Sequence, residues 1–379
     1  MRGRLTRKFR YQDDESGVKG NNGGMDLTEQ IRRSPKIALH DHLDGGVRPQ
    51  TILDLAPAAG VTLPADTAAE LQQWFFDTAN SGSLPIYLTT FDVTVAIMQT
   101  YANIRRIAKE FVLDQADDGV VYAEARWAPA QHTHQGLSME DGVRAVRDGL
   151  AEGMDEAMAR GQVIIARQLL TELRGLEPTT DLAELAIAYR DDSVAGMDCA
   201  GPELGFSSAA FRESFRIALK ANMFLTIHAG EADGLDSIQE ALHVCGAHRI
   251  GHGVRLVDDI DTTGPVPRLG RIASYIASLR IPLEISPTSN LQTGVARDLA
   301  HHPFDILYRS GIRVTVNCDN RLMSETTLTR EFSTLSQAFG YSMADVRRLT
   351  LNAAKSAFLP WDDKRTLVHD LVLPGYVDW

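Results

Sequence analysis

"FLTIHAG", residues 224–230, is an apolar run interrupted only by Thr226 and ended by a histidine and two small residues. A half-buried strand alternates apolar and polar side chains, whereas a near-continuous apolar run fits a strand covered on both faces, as in a parallel sheet. Seven further runs share this character: 36–43 (KIALHDHL), 120–129 (VVYAEARWAP), 163–170 (VIIARQLL), 194–201 (VAGMDCAG), 249–254 (RIGHGV), 281–287 (IPLEISP) and 313–319 (RVTVNCD). Between each and the next lies a segment of helical period. In "YSMADVRRLTLNAAKSAF" (341–358), Ser342 and Asp345 form a capping pair, and Val346, Leu349 and Ala353 mark a buried stripe. Eight strand–helix units over about 340 residues predict an α/β fold, a closed (β/α)8 barrel of TIM type.

One interval is out of scale. About 76 residues (44–119) separate the first two strands, too many for a single crossover helix. "SLPIYLTTFDVTVAIMQT" (83–100), rich in Leu, Phe and Tyr, falls in this excess. In a barrel, a helical insertion at about 50–118 emerges at the C-terminal mouth, where a lid would sit. A surface subdomain without catalytic duty is the plainer alternative. At the other end, MRGRLTRKFR carries five basic residues and no acidic one, followed by DDES and GVKGNNGG. Gly, Asn and charge cannot bury enough surface to fold, so 1–26 reads as a flexible extension, and Met25 offers a second start. It lacks the apolar segment of a secretion signal. Residues 27–379 then form one barrel domain.

The bulk composition narrows the partners. With 44% hydrophobic and 23% charged residues, the chain is of ordinary globular type. A net charge of −12 disfavours nucleic acid, whose phosphates require a basic excess. No stretch approaches the roughly 20 apolar residues that cross a bilayer. Cys199, Cys245 and Cys318 form no C-x-x-C pair, which points away from thiolate clusters and disulfide frameworks. Reduced thiols in a cytoplasmic protein are expected.

Active sites of such barrels are built at the C-terminal ends of the strands, so the polar residues there matter most. The first strand ends in His40 and His42, which alternation places on one face. The fourth ends in Gly201, and the fifth in "HAGE", with His228 and Glu231. The sixth carries His252, and the eighth ends in "NCDN", with Asp319 and Asn320. Singly, each has a dull reading as a core histidine or a helix cap. Their convergence at one mouth predicts a metal site. Three imidazoles and a carboxylate suit zinc or a neighbouring divalent ion rather than calcium or magnesium. In barrels with two metals a carbamylated lysine on the fourth strand bridges the ions. "VAGMDCAG" has no lysine, so one metal is expected, with Glu231 and His252 free for proton work.

"HDHLDG" (40–45), "HAGE" (228–231), "RIGHGV" (249–254), "EISPTSN" (284–290) and "VNCDN" (316–320) stand in an order that resembles the motif set of the adenosine deaminase family, within the amidohydrolase superfamily. The resemblance runs from about residue 36 to about 358. It implies hydrolytic deamination of adenosine, and of 2′-deoxyadenosine, to inosine and ammonia, a purine-salvage reaction on a small nucleoside. It implies zinc held by His40, His42, His228 and Asp319, lowering the pKa of a bound water to about 7. His252 would help deprotonate that water, and Glu231 would protonate purine N1. Gly201 resembles the residue whose N–H meets N3, Asp44 the acceptor of the ribose 5′-hydroxyl, and His42 also lies at the substrate. Leu84, Tyr87, Leu88 and Phe91 would form an apolar wall over the sugar, although an ordinary helix core explains them nearly as well.

One position departs from the family pattern. Many members carry two adjacent aspartates after the last strand, and here the second is Asn320, the residue facing N7. Two rival readings follow from the same motifs. One is a deaminase of another 6-aminopurine: adenine, an aminofutalosine-type nucleoside or a modified adenosine nucleotide. The other is a barrel that binds or signals without turnover, but such a chain would lack a ligand or the acid, and none is missing. Asp44 argues against free adenine, since relatives acting on it tend to carry Glu there.

Overall fold

The computed structural model of the chain describes residues 25–377. Apart from Met25 and Asp26, the extension expected at 1–26 lies outside the described residues. The barrel strands are β1 (Lys36–His42), β2 (Val120–Trp127), β3 (Ile165–Leu173), β4 (Val194–Ala200), β5 (Phe224–Ala229), β6 (Arg249–His252), β7 (Leu283–Ile285) and β8 (Val314–Val316). Each pairs in parallel with the next, in the order in which the chain makes them. The cylinder closes at one bridge between Asp41 and Asp319. There the His42 N–H donates to the Asp319 carbonyl at 2.8 Å, and the Asp319 N–H donates to the His40 carbonyl at 3.0 Å.

All eight expected strands are present, with shifted ends. β3 runs on to Leu173 because Thr171–Leu173 keep pairing with Asp198–Ala200 of β4. β7 is shorter than its apolar run because Pro282 and Pro287, which have no N–H to give a ladder, stand just outside its ends. The helix Met343–Ser356 starts at the expected capping box, with Val346, Leu349 and Ala353 buried. A two-stranded ribbon, 260–261 against 268–269, adds to the loop after β6.

Apolar strand runs do not mean an apolar cylinder. Glu124, Arg126, Asp198, Arg249 and Glu284 are all buried at its centre, at 1% exposure or less. Arg249 donates to both Glu124 and Glu284, and Arg126 donates to Glu284 at 2.7 Å and to the Leu39 carbonyl at 2.8 Å. Charges this deep persist only when paired and hydrogen-bonded, which every member of this layer is.

The interval between β1 and β2 holds five helices, Pro49–Ala59, Ala68–Ala79, Leu84–Leu88, Phe91–Ile97 and Tyr101–Asp117. Hydrogen bonds tie this insertion to segments that follow β7 and β8. Gly82 N–H donates to the Gln292 carbonyl at 2.8 Å, and Gln72 Nε2 donates to the Leu322 carbonyl at 2.8 Å. The insertion therefore sits against the C-terminal mouth.

Candidate active site

Strand geometry brings the expected groups together. Nε2 of His40 lies 3.2 Å from Asp319 Oδ1, and Nε2 of His42 lies 3.3 Å from the same oxygen. Nε2 of His42 also lies 3.3 Å from Nε2 of His228. His252 Nε2 stands 4.0 Å from Asp319 Oδ2 and 3.6 Å from Glu231 Oε2. Donor atoms of His40, His228, His252 and Asp319 all lie within 4.8 Å of one another. His42 makes a fifth donor on the open side of the group. The sequence expectation assigned His42 to the metal and His252 to proton work, and the cluster holds both.

Two of these residues hold unusual backbone. His252 (φ 58°) and Asp319 (φ 62°) are left-handed, a conformation that costs a β-carbon-bearing residue energy and clusters at active sites. It swings the chain away from the strand direction at the points where β6 and β8 have ended or are ending. Nothing in the apolar periodicity announces it.

The donor atoms are prepared for a cation. His40 Nδ1 is 3.0 Å from Glu284 Oε2, and His228 Nδ1 is 3.1 Å from Asp198 Oδ1. A carboxylate on Nδ1 fixes the tautomer, so that Nε2 turns a lone pair to the cluster. Burial, and then the charge of Arg126, pushes His40 down to about 4, and burial holds His42 well below its ordinary value, so both stay neutral as ligands must. Burial opposes the ionisation of Asp319, but the neighbouring imidazoles, His40 first, hold its carboxyl well below the usual range. His40 Nε2 is buried and makes no hydrogen bond despite its nearness to Asp319. An unsatisfied buried nitrogen is costly, and two imidazole nitrogens 3.3 Å apart cannot both donate. A divalent cation satisfies all of these atoms at once, so the residues fit one.

Glu231 is buried beside the cluster, its Oε1 accepting from the Thr293 hydroxyl at 3.0 Å. Burial pushes its carboxyl above the ordinary range, against the opposing pull of His252. The turn that presents it is held by Glu203, which the motif reading missed. That carboxylate accepts from the N–H groups of Gly230, Glu231, Ala232 and Asp233 at 2.5, 3.0, 2.6 and 3.0 Å, and from the Ser237 hydroxyl at 2.6 Å. The signal was an acid two residues beyond Gly201, just past the end of β4. Glu284, Asp198, Arg126 and Arg249 were missed as well, and their signal was charge inside apolar strands.

The remaining expected contacts are mixed. Asp44 is buried with Oδ1 unpartnered, and burial pushes its carboxyl up to about 7. Gly201 follows β4 at φ 93°, and a β-carbon there would stand 3.2 Å from the Arg174 carbonyl, so only glycine suits. Asn320 packs its Oδ1 on Gly45, where an added β-carbon would stand 1.8 Å away. Of the apolar wall, Phe91 approaches the His42 ring at 6.3 Å, and the buried Tyr87 approaches Phe91 at 6.5 Å. Burial, and then the charge of Asp319, raises the Tyr87 phenol well above its ordinary value. Leu84 and Leu88 are half-buried on the same helix and, unlike Phe91, are not packed against the main core.

A closed parallel barrel with imidazoles and a carboxylate gathered at its C-terminal mouth is the architecture of the amidohydrolase class. The family model for adenosine deaminase matches residues 35–373. The chain belongs to the adenosine deaminase family. An adenosine deaminase of Mycobacterium avium is 49% identical over 354 residues, which are 92% of this chain and 97% of the relative. Adenosine deaminase 1 of Streptomyces coelicolor is 49% identical over 353 residues, 92% of this chain and 89% of the relative. Among solved structures, an N6-mAMP deaminase of Arabidopsis superposes with a TM-score of 0.77 at 27% identity, covering 90% of this chain and 99% of that one.

Proposed function

We propose that the chain hydrolyses adenosine, and 2′-deoxyadenosine, to inosine and ammonia. The observation that carries this reading is a buried Glu231, its carboxyl pushed above the ordinary range by burial, standing 3.6 Å from His252 beside the donor cluster, in a chain half identical to adenosine deaminases. His40, His42, His228 and Asp319 would hold one divalent ion, and three imidazoles with one carboxylate favour zinc. Bound there, it would supply Lewis acidity that brings the pKa of water down to about 7.

The chain's own residues do the rest. His252 takes the proton from the attacking water on Nε2, which requires Nδ1 to carry the ring hydrogen and the Asn290 carboxamide, 3.1 Å away, to turn its oxygen to it. Attack at C6 breaks purine aromaticity, so N1 gains a proton from Glu231 as the C6–O bond forms. The C6–N6 bond then breaks as the amine takes the proton held by His252 and leaves as ammonia, and the C6 hydroxyl proton returns to Glu231. Burial raises its carboxyl pKa, which favours the protonated form this task needs. Thr293 and the Glu203-bound turn hold it in place. The unpartnered Asp44 Oδ1 receives the ribose 5′-hydroxyl, the Gly201 N–H meets N3, and the Asn320 amide donates to N7. Tyr87 and Phe91 lie beside the sugar, and the insertion at about 50–118 acts as the lid. Among the described residues no helix is long and apolar enough to cross a membrane. Three buried free cysteines suit a reducing cytoplasm.

Purified protein should carry about one zinc per chain and release ammonia from adenosine, with the ultraviolet spectrum moving to that of inosine. A panel of adenosine, 2′-deoxyadenosine, adenine and 5′-modified nucleosides tests the role of Asp44. Faster turnover of adenine or of a 5′-phosphate than of adenosine would overturn the assignment.

Asn320 yields a separate prediction. An amide always has N–H to give, whereas a carboxyl must be protonated before it can donate. Asn320→Asp should therefore make KM for adenosine rise more steeply with pH than in the parent. Superimposable KM profiles would remove Asn320 from N7.

A further inference from the structure

The far end of the barrel carries a second feature that the deaminase reading does not use. A cavity of about 410 Å³ opens where β5 to β8 begin, lined by Phe224, His248, Arg249, Arg313 and Phe358 among others. Four of its cations, Arg280, Arg313, Lys355 and Lys364, take part in no ion pair and no side-chain hydrogen bond among the described residues. No Asp or Glu lines the cavity. Arg126, Arg249 and Arg321, by contrast, each meet at least one carboxylate, and the buried Arg174 donates to the His228 carbonyl at 2.6 Å.

Such a gathering without a carboxylate among it stands out in a chain of net charge −12, where carboxylates are plentiful. Arg313 is half-buried and its Nε is buried with no hydrogen-bond partner. Burial, and then the charge of Arg280, holds Arg313 below its ordinary value. Lys364 is also lowered by burial, with only partial opposition from the charge of Glu124, and the Phe224 ring lies 5.8 Å from its Nζ. Uncompensated cations around a concave, partly dry surface lose hydration and repel one another, and an anion returns both. The N-terminal face of such barrels otherwise reads as stability, with no need for free charge.

We propose that this cavity binds a phosphate-bearing small molecule, its oxygens shared among Arg280, Arg313, Lys355 and Lys364. Phosphate matches the set because guanidinium forks and ammonium donors together satisfy a multiply charged oxyanion. Tyr275, 43% exposed at the rim, offers a ring to any flat group the phosphate carries.

The test is calorimetric titration of the full chain with inorganic phosphate and with uridine 5′-monophosphate, whose base is no 6-aminopurine. Saturable binding at one site per chain is expected, weakening with added sodium chloride. Arg280 and Lys355 are exposed, so Arg280→Ser/Lys355→Ser should fold, keep adenosine turnover unchanged, and bind about tenfold more weakly or worse, as loss of two charge-assisted contacts requires. Adding Arg313→Gln should abolish binding. Tighter binding of the nucleotide identifies Tyr275 as a base platform, and equal binding identifies free phosphate as the ligand. Absence of saturable heat with either probe, or an unchanged affinity in the double variant, overturns the proposal.

Discussion

Glu231→Gln is expected to keep its metal and lose turnover by about 10²–10⁴-fold, the usual worth of a positioned general acid. The substitution is close to isosteric. Gln can still accept from the Thr293 hydroxyl, 3.0 Å from Oε1 in the parent, so the turn and the fold should hold. What it cannot do is give up a proton to N1 as the ring loses aromaticity. The donor cluster does not include Glu231, so metal content should match the parent. Measuring kcat together with metal by atomic absorption separates the two effects. Full activity would mean that another residue protonates the ring. Loss of metal along with activity would mean that Glu231 helps to hold the ion.

A second large effect is expected at a residue that touches no substrate. Glu284 is fully buried, with Oε2 accepting from His40 Nδ1 at 3.0 Å and from Arg126 at 2.7 Å, and Oε1 accepting from Thr226 at 2.9 Å and from Arg249. Burial opposes its charge, but Arg249 and Arg126 hold the carboxyl well below its ordinary range. Glu284→Gln leaves two guanidiniums facing an amide in a dry interior. Breaking a buried pair in this way costs about 3–5 kcal/mol. The same change frees the His40 tautomer, and loss of such an outer partner typically lowers metal affinity about 10–100-fold. Urea unfolding of the metal-free protein reads the first effect, and competition with a chelator reads the second. A stability loss below about 1 kcal/mol, the scale of an exposed pair, would show that water reaches this layer.

The two variants also mark what the sequence made legible. The strands could be read because both faces of a parallel sheet are buried, which leaves unbroken apolar runs such as 224–230. His40, His42, His228, His252 and Asp319 could be read because barrel chemistry collects where strands end. Glu284 and Asp198 hid in plain view. Each stands inside a strand whose neighbours are apolar, and only three dimensions reveal that its charge meets Arg126 from another strand. Glu203 hid for a different reason. Its partners are backbone N–H groups, which carry no residue identity. The left-handed turn at Asp319 likewise leaves no compositional trace, because the usual marker, glycine, is absent there; at His252 the neighbouring Gly253, itself left-handed, is the only hint.

The place where the cylinder shuts has a bearing on how the protein is made and lost. Its first and last staves touch at one rung, Asp41 with Asp319, and the imidazoles of one stave face the carboxylate of the other across that joint. A partly synthesised or clipped polypeptide therefore owns only half a claw. An ion held at the joint would act as a rivet, since whatever grips both edges favours the shut form over the sprung one. Stripping it with a chelator should let amide hydrogens at residues 40–42 and 319 exchange sooner than those of β3 and β4 on the opposite wall.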